Sequence, residues 1–237
     1  MLDIKLEKRP AERCTIIEGF PGFGFVSTIA TEFLIKHLDA KPIGKITSQK
    51  LDPVAAIHKN EILNPLQIFY SKKNNIVIVQ ALVPVDGLEW EIAETVAELA
   101  KKIKAKEIIS LEGVSSQTGI KNPQVFFYTS LKDKRKHMVN LKLPPLEEGI
   151  IVGVTGALLM KTGVPLSCFF VETHSKLPDN NGAANLIKTL DNYLGLNVDY
   201  HPLIEKAKEF ESKIKNVLSQ LNATKDQKQQ KDLAYMG

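Results

Sequence analysis

Apolar runs of strand length alternate with segments of helical periodicity along most of the chain. The runs Cys14–Glu18, Glu107–Val114 and Leu166–Thr173 are rich in apolar residues, and the last is almost entirely apolar, which is typical of a central strand. Between these runs, Phe25–Leu38 and the segment after Asp86 carry apolar residues at three-to-four spacing. This alternation predicts an α/β fold in which helices pack on a mixed, largely parallel sheet.

The segment after Asp86 carries the clearest helix signals. Asp86 is a good N-cap residue, and Glu89 three residues later completes a capping box. An apolar stripe then follows at the spacing expected for a helix packed on a sheet. The stripe consists of Leu88, Ile92, Val96, Leu99 and Ile103. We therefore predict that this helix covers one face of the sheet.

Weaker signals complete the predicted order of elements. Further strands are predicted at Pro42–Thr47, Val54–His58, Leu66–Ser71, Asn75–Ala81, Val125–Thr129 and Ile150–Val152. Further helices are predicted at Gly153–Lys161, Asn181–Leu194 and Pro202–Leu221. Neither an internal repeat nor a linker interrupts this order. We predict a single α/β domain over residues 1–221, followed by a flexible tail at 222–237.

Charge and cysteine content exclude several classes of protein. The net charge is only +4, from 31 basic and 27 acidic residues of interleaved sign, so no nucleic-acid partner is expected. The one local basic cluster, Lys132–Lys136, is predicted to be a solvated loop. Cys14 and Cys168 lie in apolar runs and are predicted to be buried, reduced thiols. No stretch has the ~18–20 apolar residues of a membrane span, so we predict a cytoplasmic protein with no membrane partner.

The glycine-rich segment EGFPGFGFVST, after the first of these runs, raises the question of nucleotide binding. Gly19 and Gly24 have the glycine spacing of a P-loop, but Phe25 and Val26 occupy the positions of its Lys and Ser or Thr. With Gly22, the pattern is GxxGxG rather than the Rossmann GxGxxG. An anion at the helix N-terminus stays an alternative. The favoured interpretation is that the glycines allow a tight turn and close packing. Three aromatic residues of the segment are predicted to lie in the core or in a subunit contact: Phe20, Phe23 and Phe25.

Polar residues at two strand ends form the other candidate site. Glu172 and His174 end one apolar strand and point to the same face, while Ser115 and Ser116 follow another. Sheets of α/β proteins bind ligands at such strand ends. A crevice for a small anion or a ribose is therefore one hypothesis, with the residues Gly22, Gly24, Ser115, Ser116, Glu172 and His174. No GxSxG, HExxH or paired CxxC motif accompanies them, so we predict no catalytic residue, no cofactor and no metal.

Three segments together resemble a known family. They are GFPGFGFVSTIATEFLIKHL, LEGVSSQTGIKNPQVFFYTS and the long stretch that begins GIIVGVTGALLMKTGVPLSCFFVETHS. Their order and spacing are similar to those of the archaeal proteasome-assembly-chaperone family, relatives of the second eukaryotic proteasome assembly chaperone. The resemblance runs roughly from Cys14 to Leu221. It implies a three-layer α/β fold like that of nucleoside phosphorylases, without their catalysis. It also implies a homo-oligomer that contacts α-subunits of the proteasome core particle.

The C-terminal residues have the character of a docking peptide. The predicted helix Pro202–Leu221 has an apolar seam that serves either an oligomer or the core of the domain. Residues 222–232 are almost entirely polar and are predicted to be flexible. The resemblance implies a tail that ends in a hydrophobic residue, Tyr and one further residue, and that binds between α-subunits. The corresponding residues here place the Tyr third from the end instead of second: Leu233, Ala234, Tyr235, Met236 and Gly237.

Three functions stay open at this point. The preferred hypothesis is an ATP-independent assembly chaperone or partner that binds the proteasome α-ring through an oligomeric body and its tail. The second is a nucleoside- or anion-binding enzyme on a phosphorylase-like scaffold, which would use Ser115, Ser116, Glu172 and His174. The third is an oligomeric scaffold whose tail has no function. Because function depends on the site and not on the fold, similarity to phosphorylases does not by itself favour the second hypothesis.

Overall fold

The computed structural model describes residues 2–51, 53–58, 60–115, 123–173 and 178–200. Its strands are β1 Asp3–Leu6, β2 Thr15–Gly19, β3 Lys41–Thr47, β4 Ala56–His58, β5 Glu61–Leu63, β6 Leu66–Ser71, β7 Ile76–Ala81, β8 Glu107–Ser115, β9 Val125–Thr129 and β10 Leu166–Thr173. Its α-helices are α1 Val26–His37, α2 Glu89–Lys102, α3 Lys132–Asn140, α4 Gly153–Leu159 and α5 Asn180–Leu194. The predicted helix Pro202–Leu221 and the tail lie outside the described residues.

Eight of these strands form one mixed sheet in the order β1-β3-β6-β7-β2-β8-β10-β9. The four strands from β7 to β10 in this order are parallel, and the pairs that flank them are antiparallel. A short turn is enough to join the antiparallel strands β6 and β7, whereas the parallel strands β7 and β8 need the long connection that contains α2. The predicted mixed α/β sheet is confirmed, but only three of its seven strand pairs, those at the centre, are parallel. β4 and β5 form a separate hairpin.

Helices cover both faces of the sheet. α1 and α5 pack on one face, around Ile29 and Leu186, and α2 and α4 pack on the other, around Ile92 and Leu158. The result is the predicted three-layer sandwich. The predicted apolar stripe of α2 is buried throughout, at Leu88, Ile92, Val96, Leu99 and Ile103.

Three local predictions are wrong. α2 begins at Glu89 with Leu88 as its N-cap, so the predicted capping box that starts at Asp86 does not form. The basic run Lys132–Lys136 lies in α3 and not in a loop, because Lys and Arg are good helix formers and the buried Met138 anchors the helix. The segment Ile150–Val152 is not a strand. Ile150 and Val152 are exposed there, whereas Ile151 packs against the apolar cluster on the α2 and α4 face.

The interior contains both cysteines. Cys14 and Cys168 are free thiols and fully buried, as predicted. Burial raises the pKa of the Cys14 thiol to about 11, which keeps it protonated at neutral pH. Within the described residues, no helix has both the length and the apolar character that a membrane span requires.

Candidate functional site

The parallel strands β2, β8 and β10 are neighbours and end at the same edge of the sheet, here called the carboxyl edge. The loop that follows β2 crosses this edge and leads into α1. Gly24 has a φ of +64°, and a Cβ on it would lie 2.5 Å from Thr173 Oγ1. A Cβ on Gly22 would overlap the carboxyl group of Glu112. These two glycines therefore permit a turn and a close approach that other residues would obstruct, as the favoured interpretation predicted.

The three phenylalanines of this loop have different environments. Phe20 is buried among the residues of the α2 and α4 face, and Phe25 packs against the cluster on the opposite face. Phe23 is 39% exposed and lines the opening at the carboxyl edge. The prediction of a core position holds for Phe20, whereas Phe23 is available for contact with another molecule.

A groove runs along the carboxyl edge and consists of two adjoining cavities of about 790 Å³ and 440 Å³. Phe23, Glu112 and Val152 line both cavities and form the junction between them. The larger cavity extends to Glu172, below the segment 144–152. The smaller one extends to Glu89 at the start of α2. This combined space, the carboxyl-edge groove, has the size of a ligand or peptide site.

A chain of hydrogen bonds supports the floor of the groove. Thr155 on α4 donates its hydroxyl to Glu112 Oε2 at 3.0 Å, and its oxygen lies 2.8 Å from the hydroxyl oxygen of Ser110. The backbone N–H of Gly113 donates to Glu112 Oε1 at 3.1 Å. Burial raises the pKa of Glu112 to about 7, and the hydrogen bonds from Thr155 and Gly113 oppose this rise. Glu112 therefore titrates near neutral pH and is held in one orientation by α4.

Glu18 lies behind this network and is completely buried. It is opposite Ser110 in the register of β2 and β8, and Ser110 is in turn opposite Cys168 on β10. Neither carboxyl oxygen of Glu18 has a hydrogen-bond partner among the described residues. Burial raises the pKa of Glu18 to about 8, with a smaller lowering by Ser110 and a further rise from nearby Glu112. Glu18 is thus mostly protonated at neutral pH, which avoids an unpaired buried charge.

The charge of the groove is one-sided. Its described lining contains six carboxyl groups and no Lys, Arg or His. They belong to Asp86, Glu89, Glu112, Glu147, Glu148 and Glu172. Because like charges repel at short range, this lining disfavours a phosphate or any other anion and favours a cation. Among the described residues, no group of three potential ligands is placed to hold a metal ion.

A second buried carboxyl group lies at the opposite end of β8 and has a structural role. Glu107 Oε1 accepts hydrogen bonds from Tyr193 at 2.6 Å and from Ser167 at 2.5 Å. Lys134 Nζ lies 3.6 Å from Glu107 Oε2 and also 5.1 Å from the centre of the Tyr193 ring. Burial, followed by the Glu107 charge, raises the pKa of Tyr193. These contacts tie α3 and α5 to the sheet.

Comparison with known proteins identifies the family. The sequence profile of the PAC2 family matches residues 16–218. The chain belongs to the PAC2 family. This confirms the resemblance predicted from the three sequence segments.

Individual PAC2-like structures and sequences agree with this assignment. PbaA of Pyrococcus furiosus, an archaeal homolog of proteasome-assembly chaperone, is similar with 29% identity and a TM-score of 0.85, over 95% of this chain and 100% of that one. An uncharacterized protein of Methanocaldococcus jannaschii is 28% identical over 218 residues, which are 88% of this chain and 87% of the relative. PbaB of Pyrococcus furiosus, an archaeal proteasome activator, shares the fold with a TM-score of 0.75 at 24% identity, over 91% of this chain and 98% of that one.

Within this PAC2 fold, the structure brings four of the predicted crevice residues to the carboxyl edge. Glu172 and Ser115 line the larger cavity, and Gly22 lines the smaller one. Gly24 lies beside them, against Thr173. Glu172 is also held in place, because its Oε2 accepts the backbone N–H of Gln124 at 3.2 Å. The other predicted site residues lie outside the described residues: Ser116, His174, Leu233, Ala234, Tyr235, Met236 and Gly237.

The sequence analysis missed the acidic core of this PAC2 site. Glu18, Glu112 and Thr155 were not singled out, although a carboxyl group inside an apolar strand is an unusual feature. Both Glu18 and Glu112 stand in apolar runs that the sequence already identifies as strands. The role of Thr155 was not visible there, because it depends on the packing of α4 against β8.

Proposed function

We propose that this chain is an ATP-independent partner of the proteasome core particle that assists assembly by binding its α-ring. The observation that carries the proposal is the similarity to PbaA, which extends over nearly the whole of both chains at 29% identity. A homolog of that extent shares the domain itself and not only one motif. Such a role places the protein in the cytoplasm with the proteasome.

The carboxyl edge supports a binding role without catalysis. Ser110 and Thr155 are buried, and their hydroxyls are engaged with each other and with Glu112, so neither is accessible to a substrate as a nucleophile. Glu112 titrates near neutral pH, but both of its carboxyl oxygens are already engaged, by the Thr155 hydroxyl and the Gly113 backbone N–H. Carboxyl groups held by hydrogen bonds in an open groove suit recognition of a partner.

The tail supplies the second part of the proposed contact. Its last residues combine apolar groups, Tyr235 and a terminal carboxylate after a polar stretch of sequence. The Tyr is third from the end, one residue earlier than in the family's tails. If it binds where the family's Tyr binds and the peptide is extended, the terminal carboxylate lies about 3.3 Å from the position of the family's carboxylate. We therefore propose that the tail contributes to affinity and that the body, as a homo-oligomer, makes the larger contact.

Capture of proteasome α-subunits of the source organism tests both parts. The baits are the full chain, a chain that ends at Leu221, and two full-length variants, Tyr235→Ala and its matched control Met236→Ala. We expect capture by the full chain, weaker capture by the shortened chain and by Tyr235→Ala, and unchanged capture by Met236→Ala. Equal capture by the full and shortened chains removes the tail from the mechanism. No capture by either contradicts the proposed function.

A further inference from the structure

Large apolar side chains are exposed around the carboxyl-edge groove. Ile150 is 93% exposed and Val152 is 60% exposed, and both line the groove together with Phe23. Trp90, in the first turn of α2 beside the groove-lining Glu89, is 62% exposed. Exposed apolar groups that cluster at one concave surface are characteristic of an interaction site, and aromatic residues are common anchors there.

The carboxyl groups of the floor lie among these apolar groups. Glu112 on β8 and Glu172 on β10 face the same side of the sheet, because Glu172 pairs in register with Val114, two residues beyond Glu112. Their Cα atoms are about 8 Å apart, from the spacing of parallel strands and the rise of two residues. Both carboxyl groups line the larger cavity together with Phe23 and Val152.

We propose that the carboxyl-edge groove docks a segment of a partner protein that carries a Lys or Arg beside a large apolar side chain. The basis is complementarity: the acidic lining attracts the cation, and the exposed apolar groups lose water when they are covered. The combined space of about 790 Å³ and 440 Å³ accommodates several side chains. This binding site does not depend on the proteasome or on the tail.

The same charges argue against two other occupants. A nucleotide or phosphate brings negative charge to an acidic lining. A second copy that presents the same edge brings Glu147 and Glu148 against their own equivalents. A partner segment with a positive charge is the occupant that the lining selects.

Selection of displayed peptides tests the proposal and does not require the partner to be identified first. The full-length protein is immobilised and probed with a library of random heptapeptides. Peptides that also bind the Glu172→Gln/Ile150→Ser double variant are removed. Ile150 is exposed and Glu172 is half-buried, and unchanged secondary structure and melting temperature show that the variant is folded. We expect enrichment of Lys or Arg next to Leu, Ile, Met, Phe or Trp. Recovery of acidic or uncharged motifs, or of no specific peptide, overturns the proposal.

The selected peptide is then measured in solution by the fluorescence of Trp90, the single Trp of the chain. We expect Glu172→Gln and Ile150→Ser each to weaken binding by roughly threefold to tenfold, as for the loss of one partly desolvated contact. Met160→Ser is the matched control, because Met160 is 72% exposed but lies at the other end of α4. Equal effects of all three substitutions, or tighter binding of inorganic phosphate than of the peptide, contradict the proposed site.

Discussion

Gly22 and Glu112 approach each other so closely that any side chain on Gly22 would overlap the carboxyl group of Glu112. This contact joins the loop after β2 to the floor of the carboxyl-edge groove. It explains why a glycine occupies the position without any need for a bound phosphate. It also makes the position of the loop sensitive to the state of Glu112.

We expect Gly22→Ala to destabilise the protein by about 1–3 kcal/mol, as for other cases in which atoms are added to a packed site. The measurement is the free energy of unfolding in urea. Gly149→Ala is the control, because its Cβ would meet only the flexible end of Leu146. A Gly22→Ala variant as stable as Gly149→Ala would show that the loop moves away from Glu112 at no cost.

Glu18 predicts a specific dependence of stability on pH. Its pKa in the folded protein is about 8, raised from 4.5, so the folded state binds more protons than the unfolded state between these values. The contribution of Glu18 to the free energy of unfolding is therefore at its maximum below about pH 4.5, and it is lost as the pH rises towards 8. Glu18→Gln removes this loss, because the amide does not ionise. We compare the free energy of unfolding of Glu18→Gln with that of wild type at pH 5 and at pH 8. We expect the difference, variant minus wild type, to be larger at pH 8 by at least about 1 kcal/mol.

The exposed Glu98 of α2 provides the control for this measurement. Glu98→Gln removes one carboxyl group without changing a buried site. If the two variants differ from wild type by the same amount at both pH values, Glu18 does not bind the proton assigned to it.

The hydroxyl of Thr155 forms hydrogen bonds with both Ser110 and Glu112, and Thr155→Val removes both. We expect Thr155→Val to cost about 1–3 kcal/mol, because it leaves buried polar atoms without their partner. The pKa of Glu112 should rise further, since the hydrogen bond from Thr155 lowers it in the native protein. An NMR titration of the glutamate carboxyl carbons measures this shift. Thr155→Ser keeps the hydroxyl and should restore the native pKa, and a failure to do so would assign the effect to packing.

Tyr193 is expected to contribute to stability through its hydroxyl. Tyr193→Phe removes the 2.6 Å hydrogen bond to Glu107 and should destabilise the protein by about 1–3 kcal/mol, because the acceptor is fully buried. Tyr128→Phe, at a partly exposed position of the edge strand β9, is the matched control and should have little effect. Thermal unfolding followed by circular dichroism compares them. Equal melting temperatures would indicate that another donor replaces the hydroxyl.

The sequence predicted those elements whose apolar pattern is strong. Leu66–Ser71, Val125–Thr129 and Leu166–Thr173 have the predicted bounds, because these runs are filled with apolar and β-branched residues. α3 was missed because its charged residues carry no apolar periodicity and only Met138 is buried. The strand predicted at Ile150–Val152 was wrong because Ile150 and Val152 are exposed, which hydrophobicity alone does not distinguish from burial.

The sequence predicted the candidate site only where polar residues follow the end of an apolar strand. Glu172 and Ser115 were found because polar residues directly follow apolar runs. The row formed by Glu18, Ser110 and Cys168 requires the order and register of β2, β8 and β10, which bring together residues far apart in the chain. No pattern in a single sequence supplies that register.

The contacts of Tyr193 have a consequence for how this molecule can be used. They fix the last turns of α5 at the end of β8 where Glu107 lies. Just after α5, the backbone N–H of Val198 donates a hydrogen bond to Asp191 Oδ1. The chain continues from there, about 17 Å along β8 from the floor of the groove, because five residues separate Glu107 from Glu112. The two ends of β8 therefore have different neighbours, the groove at the carboxyl end and the last turns of α5 at the other.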